Sequence, residues 1–161
     1  MNQKLYIRDA QGEFVPAQGP AILAAAQGYL RNRVRRGASL QSPAAVREYL
    51  TVALGDRDCE YFCVILLDCR HRVLRYLEMF RGTIDGASVH PREVVKVALQ
   101  ERAAAIVLVH NHPSFVAEAS AADELITQRL REALSLVDVR VLDHLIVAGS
   151  EVVSFAERGL I

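Results

Sequence analysis

At 161 residues, of which 52% are hydrophobic, the chain has enough material for one domain with a substantial core. Lysine plus arginine and aspartate plus glutamate number 19 each, so net charge is zero and the broad positive field of a dedicated nucleic-acid binder is missing. The cysteines Cys59, Cys63 and Cys69 are odd in number and lack CxxC spacing, which argues against a disulfide framework or a thiolate zinc site and suits a reducing cytoplasm.

Met1 to Lys4 are not followed by an apolar signal region, and no apolar run reaches the roughly 20 residues of a membrane span, so a soluble, unexported protein with no membrane partner is expected. Residues 1–19 carry Gly12, Pro16 and Gly19 with little periodicity and read as an extended arm. Residues 20–40 read as an N-terminal helix with a basic end. Ala21 to Leu30 is helix-forming, and Arg31-Asn32-Arg33-Val34-Arg35-Arg36 follows before a break at Gly37. A solvated helix end favoured by the helix dipole is the ordinary explanation of that run; an acidic or nucleic-acid partner is the alternative.

Ser42 and Pro43 suit the N-cap and first position of a second helix, with Ala45, Val46, Tyr49, Leu50 and Val52 as its apolar face and Gly55 as its end. Tyr61 to Leu67 is continuously apolar and β-rich, which predicts a strand buried on both faces. Val73 to Phe80 carries Arg75 and Glu78 and predicts a hairpin partner with one wet face, after which Gly82 and Gly86 bracket a turn. Pro91 opens a helix to Gln100 with Val94, Val95, Val97 and Ala98 inward, and the strand Ala104 to His110 follows. After a helix from Ala121 to Leu134, Val137 to Val147 and Glu151 to Phe155 read as two strands turning at Gly149-Ser150. Strands alternate with helices, yet short polar turns imply antiparallel pairs as well, so the expected class is α+β, a mixed α/β sandwich.

The chemistry concentrates at the end of the Ala104 strand. In His110-Asn111-His112 the imidazoles are two residues apart and share one face, and Pro113 forces the chain out of the sheet there. Ser120 is an N-cap type, and Asp123 falls in the first turn of the helix behind it. Two imidazoles and a carboxylate leave the fourth position of a tetrahedral zinc open for water, as a catalytic site requires. An ordinary capping box formed by Ser120 and Asp123 is the plainer reading of that pair, and packed, hydrogen-bonded imidazoles are the plainer reading of the histidines.

A general base is needed beside such a metal, and Glu60, Glu78, Glu93 and Glu101 are the candidates. Glu93 sits in a helix first turn, where the dipole alone explains it, and Glu101 lies near that helix's other end. Glu60 stands at the mouth of the most buried strand, where partial desolvation suits proton shuttling. The Asp143-His144 pair suits a core role or the orientation of a ligand imidazole, and His71 and His90 suit turns or surface.

His110-x-His112, seven residues, then Ser120-x-x-Asp123 resembles the JAMM (JAB/MPN) metalloprotease signature, and the string His-Asn-His-Pro-Ser resembles its bacterial RadC-like branch. The resemblance continues through Phe80 to Thr83, Val89 to Glu93, Val141 to His144 and Ser154 to Gly159, and spans about residues 43–161. Phe115 stands where the family usually has Gly, and Ala119 where it usually has Pro, both in the loop between the ligands. The resemblance implies an MPN/JAB-like catalytic domain over residues 41–161, a curved mixed sheet flanked by helices, in a short form without an N-terminal helix-hairpin-helix domain. It implies zinc on His110, His112 and Asp123, a base at the start of a strand upstream of His-x-His, and Ser120 donating to the oxyanion of a tetrahedral intermediate. The expected activity is hydrolysis of a peptide or isopeptide bond in a peptide or protein substrate by a metal-activated water.

A zinc nucleobase deaminase would need His-x-Glu with Pro-Cys-x-x-Cys, which this sequence lacks. An HNH nuclease spreads its motif over a longer hairpin and helix, so that match is in the letters alone. The alternative that stands is a metal-containing interaction module associated with DNA repair proteins or, weakly and salt-dependently, with DNA through the Arg31–Arg36 run.

Overall fold

The stretch from Tyr61 to Leu67 offers seven consecutive apolar or aromatic side chains, and such a strand is stable only if both its faces are covered. In the computed structural model, which describes residues 5–33, 43–82 and 88–161, this strand lies second in a five-stranded mixed sheet. The elements in chain order are β1 (Tyr6–Arg8), β2 (Phe14–Pro16), α1 (Gly19–Arg33), α2 (Pro43–Leu54), β3 (Tyr61–Leu67), β4 (Val73–Arg81), α3 (Pro91–Gln100), β5 (Ala105–Asn111), α4 (Ala121–Ser135), β6 (Arg140–Ala148) and β7 (Glu151–Ser154). The sheet order is β4-β3-β5-β6-β7; β5 and β6 are parallel, and the other pairs are antiparallel. The fold is α+β, as the pattern of elements predicts.

Side-chain alternation divides the interior into two cores. Cys63, Ile65 and Leu67 of β3 meet Val107 and Val109 of β5 and Tyr49, Leu50 and Leu54 of α2 on one face. Phe62, Val64 and Leu66 meet Ile106 and Leu108 of β5, Val94 and Ala98 of α3, and Leu130 and Leu134 of α4 on the other. Each fully buried aliphatic side chain among these, such as Leu66 or Ile106, contributes about 1.5–3 kcal/mol by leaving water. The parallel β5–β6 pair requires a crossover, which α4 provides. That connection places the C-terminal end of β5 and the N-terminus of α4 at the same end of the sheet, where open α/β folds leave a crevice.

Several boundaries move for identifiable reasons. The β5 strand runs one residue further than expected, and His112 N–H still donates to Val147 O at 2.9 Å, so pairing stops only at Pro113. The β6 strand begins at Arg140 instead of Val137 because α4 closes in a turn: Val137 and Val139 both donate to Leu134 O, and Asp138 takes φ 59°. Residues read as an extended arm include a small antiparallel hairpin, β1–β2, whose turn is held by Asp9 Oδ1 accepting the N–H of Gln11 and of Glu13. The α1 helix starts at Gly19, before the expected Ala21, since Pro20 in a first turn forfeits no intrahelical bond. Gly37, Ser42, Gly86 and the Arg35-Arg36 part of the basic run lie outside the described residues. No helix among the described residues is long and apolar enough to cross a membrane.

Candidate metal centre

Two local rules bring His110, His112 and Asp123 together. His110 is the last residue but one of the fully buried β5 strand, and His112, two residues on, keeps its imidazole on the same face because its backbone is still bonded to β6. Ser120 caps α4: its Oγ accepts Asp123 N–H at 3.2 Å while Asp123 Oδ2 accepts the Ser120 N–H at 2.7 Å and the Ser120 hydroxyl at 2.6 Å. The capping box therefore exists, and it also aims Asp123. His110 Nε2 lies 3.1 Å from Asp123 Oδ1 and 2.9 Å from His112 Nε2, and His112 Nε2 lies 3.5 Å from Asp123 Oδ2.

The hydrogen-bond inventory shows what this cluster can hold. His112 Nδ1 lies 2.8 Å from Val116 O, which can only accept, so Nδ1 carries a proton and the neutral ring turns a lone pair on Nε2 toward His110 and Asp123. Two imidazole nitrogens and a carboxylate thus converge, with donor atoms all within 4.8 Å of one another, and only a cation or an added proton relieves their mutual repulsion. Burial pushes the Asp123 carboxyl up, but the hydrogen bonds that His110 and His112 donate from Nε2 when a ring takes up the added proton, with that from Ser120, outweigh it and hold the group far below the usual carboxylate range. Hydrogen bonding to Asp123 raises His112 above the ordinary imidazole range, against the opposing effect of burial. The electrostatics favour positive charge at the centre, and the donor set suits zinc while remaining acceptable to other first-row divalent ions.

The loop that carries Val116 is shaped by a strained residue. Phe115 adopts φ 60°, and its N–H closes a turn onto His112 O at 3.1 Å. Its ring lies against Gly149, where a Cβ would approach Phe115 Cδ1 to 2.8 Å. Ala119 packs against the small core of Ile146, Val153 and Phe155. The loop keeps the backbone turn that glycine would serve while presenting an aromatic side chain that is 61% exposed.

The candidate carboxylates are spread apart. Glu60 is half-buried and immediately precedes β3; Phe62 pairs with His110, so the continued register sets Glu60 toward His112 on the same sheet face. Its charge also contributes to raising His112. Glu78 pairs in register with Cys63, on the opposite face, and meets Arg57 at 3.2 Å. Glu93 faces Lys96 and Arg92 at 3.6 Å each, and Glu101 bonds Arg75 at 2.5 Å. Asp143 and His144 point to different faces of β6. Asp143 accepts from Ser154 Oγ at 2.6 Å and from His144 and Ala156 N–H, while fully buried His144 lies with Nε2 2.8 Å from His110 Nδ1. Burial, and then the neighbouring His110, push His144 well below the ordinary imidazole range. His71 contacts Arg140 at 3.3 Å, and His90 meets the Phe80 ring edge-on.

Two polar residues of the site escape sequence reasoning. Asn111, 1% exposed, accepts Tyr61 N–H at 2.8 Å and donates to Cys59 O at 3.0 Å. Thr127 Oγ1 bridges Asp123 O at 2.5 Å and His144 Nδ1 at 2.6 Å. The only local signals for them are a polar side chain facing away from two histidines, and a hydroxyl one helical turn after Asp123.

The model of the RadC-like JAB domain matches residues 40–160, which contain every residue of this cluster. The chain belongs to that family. Among its RadC-like relatives, a UPF0758 protein of Nitrosococcus oceani is 57% identical over 141 residues, 88% of this chain and 63% of the relative. A UPF0758 protein of Marinobacter nauticus is 54% identical over 144 residues, 89% of this chain and 64% of the relative. One from Halorhodospira halophila is 52% identical over 154 residues, 96% of this chain and 69% of the relative. The chain thus spans a little under two thirds of the length of the first two relatives, whose names state no activity.

Proposed function

We propose that this RadC-like chain is a metal-dependent hydrolase of the zinc metalloprotease type, acting with water on a peptide or isopeptide bond. The observation that carries this reading is the convergence of His110 Nε2, His112 Nε2 and the Asp123 carboxylate at the carboxyl end of the central strand, on the face toward which Glu60 is set. These three residues would hold the ion, which when bound supplies Lewis acidity toward water and a scissile carbonyl. Glu60 takes the proton of the attacking water and returns it to the leaving amine, a general-base role worth about 10²–10⁴-fold in rate. Ser120 keeps Asp123 in place through its backbone N–H, which leaves its hydroxyl able to turn from Oδ2 toward a developing oxyanion. Exposed Phe115 and Val116 give the entrance an apolar rim for substrate side chains.

Metal analysis of the purified protein tests the reading together with a peptide and isopeptide library. About one zinc per chain is expected in the wild type, with loss on His112→Ala, and hydrolysis of at least one library member that a chelator stops. Unchanged metal content in His112→Ala refutes the ligand set. Bound metal with no hydrolysis of any probe favours the interaction module, whose DNA association would then be measured against salt.

A further inference from the structure

We infer that Thr127 is a positioning residue that fixes, through His144, which nitrogen of His110 faces the metal centre; the part of this inference that concerns metal rests on the ligand set proposed above. Thr127 and His110 are 1% exposed and His144 is fully buried, so water does not compete for their hydrogen bonds.

The direction of each bond in the chain follows from the first. Asp123 O lies 2.5 Å from Thr127 Oγ1 and can only accept, and two lone pairs facing one another at that distance would repel, so the hydroxyl donates there. Having spent its one proton, Thr127 Oγ1 can only accept from His144 Nδ1, 2.6 Å away. A neutral imidazole with its proton on Nδ1 has its lone pair on Nε2, and that atom lies 2.8 Å from His110 Nδ1. His110 must then donate from Nδ1, which leaves the lone pair of its Nε2 directed at Asp123 Oδ1 and His112 Nε2.

The relay starts and ends on one helical turn. Asp123 supplies the carboxylate of the centre through its side chain, and its backbone carbonyl, through Thr127 and His144, sets the nitrogen donor on β5. An imidazole with the wrong tautomer would present an N–H to the cation, so this chain converts helix geometry into ligand readiness. Supports of this kind are worth about 10–100-fold in metal affinity.

Two measurements on the full chain test the inference. Long-range ¹H–¹⁵N spectra of the histidine rings, recorded at mildly alkaline pH without metal and with Zn²⁺, should show the Nδ1–H tautomer for both His110 and His144. Zn²⁺ affinity, measured by competition with a chromophoric chelator, should fall roughly 10–100-fold in Thr127→Val, which keeps the side chain's shape, and return to within a few-fold of wild type in Thr127→Ser, which keeps the hydroxyl. A proton on His144 Nε2, or Thr127→Val binding Zn²⁺ as tightly as wild type, overturns it. If the wild type takes up no Zn²⁺, the hydrolase reading falls, and the metal-free spectra, which need no variant to fold, decide the relay alone.

Discussion

Asn111 Oδ1 accepts the Tyr61 N–H at 2.8 Å, and with Asn111 Nδ2 donating to Cys59 O one buried amide grips the backbone on both sides of Glu60. The residue between the two histidines faces away from them, so the β5 tip serves two faces at once: imidazoles on one, a clamp on the other. Asn111→Ala leaves a buried N–H and C=O without their partner, which costs about 1–3 kcal/mol each when unrelieved. The variant should unfold at lower temperature, exchange the Tyr61 amide faster and lose most hydrolytic activity, yet keep its metal, because no ligand is touched. Wild-type exchange at Tyr61 in Asn111→Ala would show that the clamp holds nothing.

The pH dependence of the metal-free protein follows from opposite shifts at two contacting groups. Asp123 is depressed on folding, so its contribution is present above the ordinary carboxylate value of 3.8 and is lost as pH falls from there toward the lower folded value. His112 is raised, so its contribution is complete below the ordinary imidazole value of 6.5 and is lost as pH rises through the higher folded value. Unfolding temperature in chelator should therefore fall as pH rises above the ordinary imidazole value of 6.5 and through the higher folded value of His112. Zinc requires an unprotonated His112, so the stabilisation it adds should shrink in the opposite direction, toward acid. A chelated protein whose stability rises as pH increases above the ordinary imidazole range would contradict the pairing of His112 with Asp123.

Local rules made much of this site legible. Tyr61–Leu67 and Pro91–Gln100 have the predicted bounds because each is specified by its own residues: an unbroken apolar run, and a proline start with an inward stripe. The convergence of His110, His112 and Asp123 rests on a two-residue strand period and a first-turn carboxylate, both readable without tertiary knowledge. Thr127 and the Asn111 clamp were not legible, since each depends on which strand lies beside β5 and in what register. His144 and Asp143 read as one polar pair, and only the face that β6 presents to α4 separates them into a histidine beside His110 and an aspartate bonded to Ser154. The β1–β2 hairpin is not legible for another reason, since strands of three residues carry too short a pattern to show a period.

The contact between Phe115 and Gly149 predicts a coupling between the metal-site loop and the β6–β7 turn. Gly149→Ala adds a Cβ to a residue at φ 61°, costing about 1–2 kcal/mol, and drives that atom to 2.8 Å from the Phe115 ring. Phe115 is largely exposed and can swing away, so the first cost should persist and the second should appear as displacement of the loop. Combining Gly149→Ala with Phe115→Ala should thus be less destabilising than the sum of the single changes, as read from denaturant unfolding. Strict additivity would mean that the ring and the turn are independent.

Glu60→Gln separates base from ligand, because the two roles respond differently to the same isosteric change. Glu60 is on the face of His112 by strand register, and its position is held by Asn111 and by its own carbonyl accepting Gly82 N–H at 2.8 Å, neither of which the substitution disturbs. The fold and the metal content should stay those of the wild type. Loss of the proton-accepting charge should lower hydrolysis of a library-identified peptide by roughly 10²–10⁴-fold, in kcat more than in KM, since binding of the substrate does not use that proton. The small remaining positive influence of Glu60 on His112 should also vanish, so the metal-free His112 should release its proton at a slightly lower pH. Retained activity would exclude Glu60 as the base. Glu78, Glu93 and Glu101, tied to Arg57, Lys96 and Arg75, would each then have to leave an ion pair to serve in its place. Lost metal would instead make Glu60 a fourth ligand and close the site to water.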